Sequence, residues 1–316
     1  MIRVSDRLRK VVREASPRAF RTIWWIFKIT AAVSFAMFLL RWSGMLNWIA
    51  VAVSPVFNLF GLPGEASMAY VSGYFINVYS CIAVVSTLEL TTREITILGT
   101  MTLAAHAMVV ECAVQHKTGT PTAYVAVLRT LASLSLGVLL NLVLPGRPDL
   151  TGASDVALSE IPFFEIQGEF LPQFKMWFIG LARLAVWMTC LIYLLNILQS
   201  ILYEYGVMSK IALFFRPLLS LFGLDGSTAF LWIVANLVGL SYGSAAIMDE
   251  MHRGNVKLWD INLLNTHIGV SHSNLEDLFL FSAIGGLWYV MLLARWIMVT
   301  VLVWTVRLVK PRYLLG

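Results

Sequence analysis

The chain has 316 residues, of which 59% are hydrophobic and only 13% charged, with a formal net charge of +5. Its mean hydropathy of +0.77 is far too high for a soluble globular domain of this size and describes an integral membrane protein. The basic residues cluster beside and between apolar spans, which argues against nucleic-acid binding and assigns them to topology.

A basic arm, residues 1–21, carries Arg3, Arg7, Arg9, Lys10, Arg13, Arg18 and Arg21. The apolar run after it, 22–42, is too long for a signal-peptide core and has no small-x-small cleavage site behind it, so it reads as a retained first helix. The arm is expected either as an amphipathic helix on anionic lipid or as a solvated tail. Further helices are expected at 46–60, 65–89, 93–114 and 121–144, with Thr91-x-x-Glu94 as a capping box and Pro121 at a helix start. A connector, 145–173, carries Asp149, Asp155, Glu160, Glu165 and Glu169 against Arg147 and precedes five more segments at 174–202, 207–222, 227–250, 259–282 and 286–309. Ser227 or Thr228 is the expected cap of the eighth, and residues 311–316 form a tail. Cys81, Cys112 and Cys190 lie in apolar segments without paired spacing and read as small buried hydrophobes.

The chain is an internal duplication. Leu59-Phe60-Gly61-Leu62-Pro63-Gly64 returns as Leu221-Phe222-Gly223-Leu224-Asp225-Gly226, and Pro55 returns as Pro217 at the same offset of 162 residues. After a four-residue insertion, His106, Gly119 and Arg129 return as His272, Gly285 and Arg295. Five segments in each half give an odd number of crossings, so the second half enters the membrane upside down: residues 22–144 and 174–310 are read as inverted repeats. Charge agrees with this. The arm, Lys117, Lys210, Arg253, Lys257, Arg307, Lys310 and Arg312 fall on one side, predicting cytoplasmic termini and an external acidic connector in a bacterial inner membrane. The second and seventh segments are short, at about 16 residues against the roughly 20 needed to span, and each holds a proline, as expected of bent or re-entrant pieces.

Candidate chemistry concentrates in the ninth segment, which is polar at more than half its positions between Asp260 and Asp277. Unpaired polar groups cost several kcal/mol each in hydrocarbon, so these side chains must face protein or a hydrated cavity. On a regular helix Asn265, Gly269, His272 and Glu276 form one stripe, and Asn262, Thr266, Ser273 and Asp277 the adjacent one. The fourth segment keeps the same signature more thinly: His106 precedes Glu111 by five residues, as His272 precedes Asp277. Five residues is not one face of a helix, so the pairs converge only where the helix unwinds. Ionisable groups here read as binding or proton coupling, with a buried polar network as the alternative. Asn236 and Ser241 in the eighth segment, and Ser72 to Ser80 in the third, either expose backbone to a ligand or pack through small residues; packing is the expectation for the third. Arg129 and Arg295 are expected in structural ion pairs with Glu111, Glu276 or Asp277. No metal motif, phosphate loop, dinucleotide fingerprint or nucleophile elbow is present, so an enzyme or ATP-driven pump is not expected, and neither is a cofactor or a resident metal.

The duplicated Leu-Phe-Gly-Leu-x-Gly turn, with the later Ser271-His272-Ser273-x-x-Glu276, resembles the nucleoside-recognition or gate superfamily. That group includes the gate regions of concentrative nucleoside transporters and of ferrous iron transporter B, and the spore maturation proteins A and B. The chain lacks a GTPase domain and a clear copy of the nucleoside-binding Gln, Asn and Glu pattern, and it looks closest to the stand-alone two-gate proteins. The expectation is therefore an all-α polytopic membrane protein of two inverted repeats with short or discontinuous helices. Its expected function is secondary permeation of a small polar solute or ion through a loose midplane cavity walled by Asn265, Ser273 and Asn236 among others. A membrane scaffold of spore-maturation type and a divalent metal transporter are the alternatives, and a homo-oligomer is compatible with all three.

Overall fold

The computed structural model describes residues 4–146, 165–311 and 314, without the side chains of 4–8, 10, 18, 22, 25, 26, 29 and 241. Most of the connector, the start of the basic arm, Arg312 and the Ser241 side chain lie outside the described residues. The described chain is helical and contains no strand. The first half comprises α1 (Val4–Trp42), α2 (Met45–Phe57), α3 (Ala66–Phe75), α4 (Val78–Val85), α5 (Thr92–Ala104), α6 (Met108–Lys117) and α7 (Thr122–Val143). The second comprises α8 (Phe170–Glu204), α9 (Val207–Leu221), α10 (Ala229–Leu237), α11 (Leu240–His252), α12 (Leu258–Ser271), α13 (Glu276–Ala283) and α14 (Trp288–Val309).

The ten segments are thus all present, and four of them are interrupted. The third and eighth fold back as helical hairpins, α3–α4 and α10–α11. A Cβ placed on Gly73 would stand 3.0 Å from Cβ of Cys81, and one on Gly243 would stand 2.7 Å from Cβ of Ala235. Residues eight apart on a continuous helix would be separated by about 12 Å. Glycine at one member of each pair lets the two arms touch. The Asn77 side chain caps α4 by accepting a bond from the Ser80 amide at 2.9 Å, while Gly239, at φ +112°, makes the corresponding turn in the second half. These two segments were expected as single helices. Their arms, at about 1.5 Å per residue, are too short to cross a bilayer.

The fourth and ninth segments break differently, into α5 followed by α6 and α12 followed by α13. Ala107 and Ser273 take left-handed conformations at φ +44° and +54°. The Ala107 amide donates to the Gly73 carbonyl at 3.0 Å, and the Ser273 amide approaches the Ala235 carbonyl at 3.5 Å. Each break is therefore anchored to the hairpin of its own half. The second and seventh segments, where the prolines suggested breaks, stay continuous through Pro55 and Pro217. There the discontinuity falls before α2, which leaves α1 at a bend of 93°.

The duplication extends to backbone conformation. Besides Ala107 with Ser273, positive φ is shared by Gly44 with Gly206, Gly61 with Gly223 and Gly119 with Gly285. The long helices α1 and α8, equivalent in the two halves, run antiparallel: Trp177 Nε1 donates to Ser34 Oγ at 2.9 Å, and the Ser16 and Tyr193 hydroxyls meet at 2.7 Å. Antiparallel packing of equivalent helices makes the repeats inverted. Among the described residues four helical stretches are long and apolar enough to cross a membrane: 92–117 taken across its break, 122–143, 170–204 and 288–309; the bent pair of Thr30–Trp42 with Met45–Phe60 also passes when joined.

Some local expectations need correction. Thr91 and Glu94 do form the reciprocal capping box. At the eighth segment, however, Asp225 rather than Ser227 or Thr228 supplies the cap, accepting the Ser227 amide at 2.8 Å. That contact and the nearby Lys257 and Arg307 hold the Asp225 carboxyl below the usual carboxylate range. Cys81 and Cys112 are buried, but Cys190 faces outward. The basic arm from Val4 onward continues α1 as one helix through Pro17.

The left-handed residues give a direct test of the breaks. A non-glycine residue at positive φ carries about 1–2 kcal/mol of strain, and a β-branched one more. Ala107→Gly should leave the thermal unfolding midpoint unchanged or raised, whereas Ala107→Val should lower stability by about 1–3 kcal/mol. Equal midpoints for the two variants in detergent would show that α5 and α6 are not interrupted there.

Candidate functional site

The two helix breaks meet at the centre of the molecule. The His106 and His272 rings lie 4.9 Å apart between centroids. Glu111, in the first turns of α6, places Oε1 at 3.1 Å from His106 Nε2 and 3.0 Å from His272 Nε2. Asp277, its counterpart on α13, places Oδ2 at 3.4 Å from His106 Nε2. Each histidine thus reaches the acid of the opposite repeat. Both rings and Asp277 are buried.

The unwinding explains how residues five apart converge. Ending α5 at Ala104 and restarting at Met108 swings Glu111 back toward His106, and the gap between Ser271 and Glu276 does the same for Asp277. Broken helices leave carbonyls without intrahelical donors. The buried arginines of α7 and α14 satisfy them. Arg129 donates to the Ala104 carbonyl at 3.1 Å and the His106 carbonyl at 2.9 Å, and Arg295 donates to the His272 carbonyl at 3.3 Å.

The expected ion pairing holds for only one of the two arginines. Arg129 binds Glu111 Oε2 at 2.6 Å. Arg295 makes no ion pair among the described residues and instead donates to Asn274 Oδ1 at 2.7 Å. Asn274 in turn donates to Asn236 Oδ1 at 2.6 Å, which ties the α14 arginine to the α10–α11 hairpin.

The remaining candidates lie elsewhere. The stripe of Asn265, His272 and Glu276 does not exist, because α12 ends between them. Glu276 turns away from the histidines; its carboxylate accepts from the Tyr79 hydroxyl, and Gln199 also reaches it. Asn265 donates to Thr118 and Thr120, both at 2.7 Å, and its carbonyl accepts from Gln115 at 2.9 Å. It therefore belongs to a polar seam joining α12 to the end of α6. Ser273 contributes its backbone conformation. The donors form a compact cluster, where a loose cavity was expected from an unbroken helix. Gln199 was not chosen from sequence, and Tyr79 and Asn274 entered only as members of the third and ninth segments, although Asn274 beside Ser273 carries the turn chemistry that could have marked it. His267 is a core residue packed between Phe222 and Trp232, with Trp232 donating to its Nδ1 at 3.1 Å.

Two large cavities lie at opposite ends of the α1–α8 pair and are themselves equivalent. One, of about 940 Å³, is lined by Ser34, Arg41, Thr87 and Trp177; the other, of about 540 Å³, is lined at the matching positions by Asn196, Tyr203, Asp249 and Ala15. Inversion of the repeats puts matching cavities on opposite faces.

Residues 23–134, from α1 into α7, match the Gate family, described as nucleoside recognition. The helix breaks, left-handed residues and arginine caps found within the matched half recur in the second half. The chain is also similar to a Bacillus subtilis (strain 168) protein described as "Uncharacterized membrane protein YvoD", at 23% identity over 278 residues covering 88% of each chain. No solved structure matches.

Proposed function

We propose that this chain is a secondary permease of the bacterial inner membrane, a carrier and not an enzyme, moving a small polar solute or ion through the centre where its two inverted repeats cross. The observation that carries this reading is the buried meeting of two histidine and acid pairs at helix breaks, with equivalent cavities at opposite ends of the α1–α8 pair. Ionisable groups within a membrane protein interior are costly to bury and mark transport or proton pathways. Discontinuous helices meeting at a repeat interface are the usual frame of such a site, and rocking one repeat against the other would open one cavity and close its mate. The Gate match supports a transport role, and its description makes nucleosides one solute class to test.

Purified protein reconstituted in liposomes, offered a panel of nucleosides and small ions under an imposed proton gradient, should show saturable uptake of at least one of them above empty vesicles. Uptake indistinguishable from empty vesicles across the panel would favour the scaffold reading. The proposed orientation is tested separately. A cysteine replacing Asn255 should react with impermeant thiol reagents only from the cytoplasmic side, and one replacing Glu165 only from the outside. Labelling of both from one side would remove the topology assigned here.

A further inference from the structure

We propose that His106, His272, Glu111 and Asp277 form a divalent transition-metal site, bridging the two repeats through both histidine Nε2 atoms and a carboxylate oxygen from each acid. The argument starts from hydrogen positions. Nδ1 of His106 lies 3.1 Å from the Thr102 carbonyl and Nδ1 of His272 lies 2.7 Å from the Ile268 carbonyl. A carbonyl oxygen only accepts, so both Nδ1 atoms carry the hydrogen, and in the neutral rings both Nε2 atoms present lone pairs. Those lone pairs face Glu111 Oε1 at 3.0 and 3.1 Å and Asp277 Oδ2 at 3.4 Å, which are acceptors as well. Contacts between acceptors repel unless something positive sits among them. Two added protons or one metal ion would serve.

The spacing of the donors admits the ion. Ligands about 2.1 Å from a tetrahedral centre are separated from one another by about 3.4 Å; the contact of Asp277 with His106 has that length at 3.4 Å, and the two Glu111 contacts are closer, at 3.0 and 3.1 Å. Donor atoms of His106, His272 and Asp277 all fall within 4.8 Å of one another. The supporting bonds are those a metal site needs, since a ligating imidazole normally donates its other N–H to a carbonyl or carboxylate, which fixes its tautomer and ring direction. Two imidazoles with two carboxylates suit zinc, iron or manganese better than the hard, all-oxygen coordination of calcium or magnesium.

Access and release also fit a cation. Among the described residues the smaller cavity is lined by Glu204, Asp249 and Glu250 and by no arginine or lysine, although Arg253 pairs with Asp249 at 2.9 Å. Such a lining concentrates cations. Its wall includes Gln199, which reaches Glu276, the neighbour of Asp277. Within the cluster Arg129 already pairs with Glu111, so a bound divalent ion is incompletely neutralised. That limits affinity and suits an ion that must leave again.

The site is a statement about binding; that the ion is the cargo rests on the permease reading above. Full-length protein in nanodiscs, stripped with a chelator, should be titrated with Co²⁺ and followed by its visible absorption, with Zn²⁺ and Mn²⁺ uptake measured by equilibrium dialysis. We expect about one ion per chain and a Co²⁺ spectrum of nitrogen and oxygen ligation. His106→Asn and Asp277→Asn should each weaken binding at least about tenfold, the smallest loss typical even of supporting residues. Because either variant could fold poorly, wild-type protein should also show a metal-dependent rise in its thermal midpoint that chelator reverses. No saturable uptake, or uptake unchanged in both folded variants, would overturn the site and leave protons as the bridging charge. Metal binding without liposome flux would keep the site and count against the permease; flux of another solute without metal binding would do the reverse.

Discussion

Arg129→Ala should be the most damaging single substitution in the molecule, lowering stability by about 3 to 5 kcal/mol, the range for breaking a buried ion pair from one side. The side chain is fully buried, holds Glu111 at 2.6 Å and caps two carbonyls freed by the break after α5. Removing it leaves a buried carboxylate facing two histidines and two carbonyls without donors, in a setting where water cannot substitute. Arg295→Ala, which removes a carbonyl cap and the bond to Asn274 but no ion pair, should cost less, about 1–3 kcal/mol. The double variant Arg129→Ala with Glu111→Gln should recover part of the loss, because the stranded charge is gone. Unfolding of the three variants in matched lipid would measure this. Equal losses for Arg129→Ala and Arg295→Ala would mean that the two arginines act only as caps.

The difference between these arginines shows how far the sequence could be read. Their equivalence follows from the duplication, and so does their proximity to the acids. What each one binds does not, because it depends on where the helices break. The first break falls at Ala104-Ala105-His106-Ala107, a stretch whose alanines favour helix and which has no glycine or proline to announce an interruption. Tertiary structure imposes it, through the Gly73 carbonyl on one side and Arg129 on the other. The second break, at His272-Ser273-Asn274, carries turn-forming residues, and a reading that gave them more weight would have ended α12 there and detached Glu276 from His272. The hairpins were similarly half-legible. Asn77 followed by Ser80 is a capping pattern and Gly239 a break, but small residues in apolar segments are so common that packing explains them equally well. The five-residue spacing of histidine and acid in both halves falls across the two breaks. It was unreadable as a helix face because it is not one.

Removal of one histidine should abolish transport without abolishing the fold. His272 is buried, and its ring donates to the Ile268 carbonyl and touches Glu111; replacing it with alanine forfeits one hydrogen bond and opens a small void, a loss of about 1–3 kcal/mol. The carbonyl of His272 that Arg295 caps belongs to the backbone and remains. The protein should therefore still insert and elute as a single species. The cluster, however, would retain one Nε2 atom and two acids, too few to place a cation or proton symmetrically between the repeats, and uptake of whichever solute the wild type carries should fall by at least about tenfold. Glu276→Gln should do less, since that carboxyl meets Tyr79 and Gln199 at the edge of the cluster and an amide can keep both contacts. Initial uptake rates, normalised to folded protein by size-exclusion and thermal midpoint, separate function from stability. A His272→Ala protein whose uptake falls only in proportion to its folded fraction would return the histidines to the role of a buried polar network, and with them the claim that the crossing of the broken helices is the transport site.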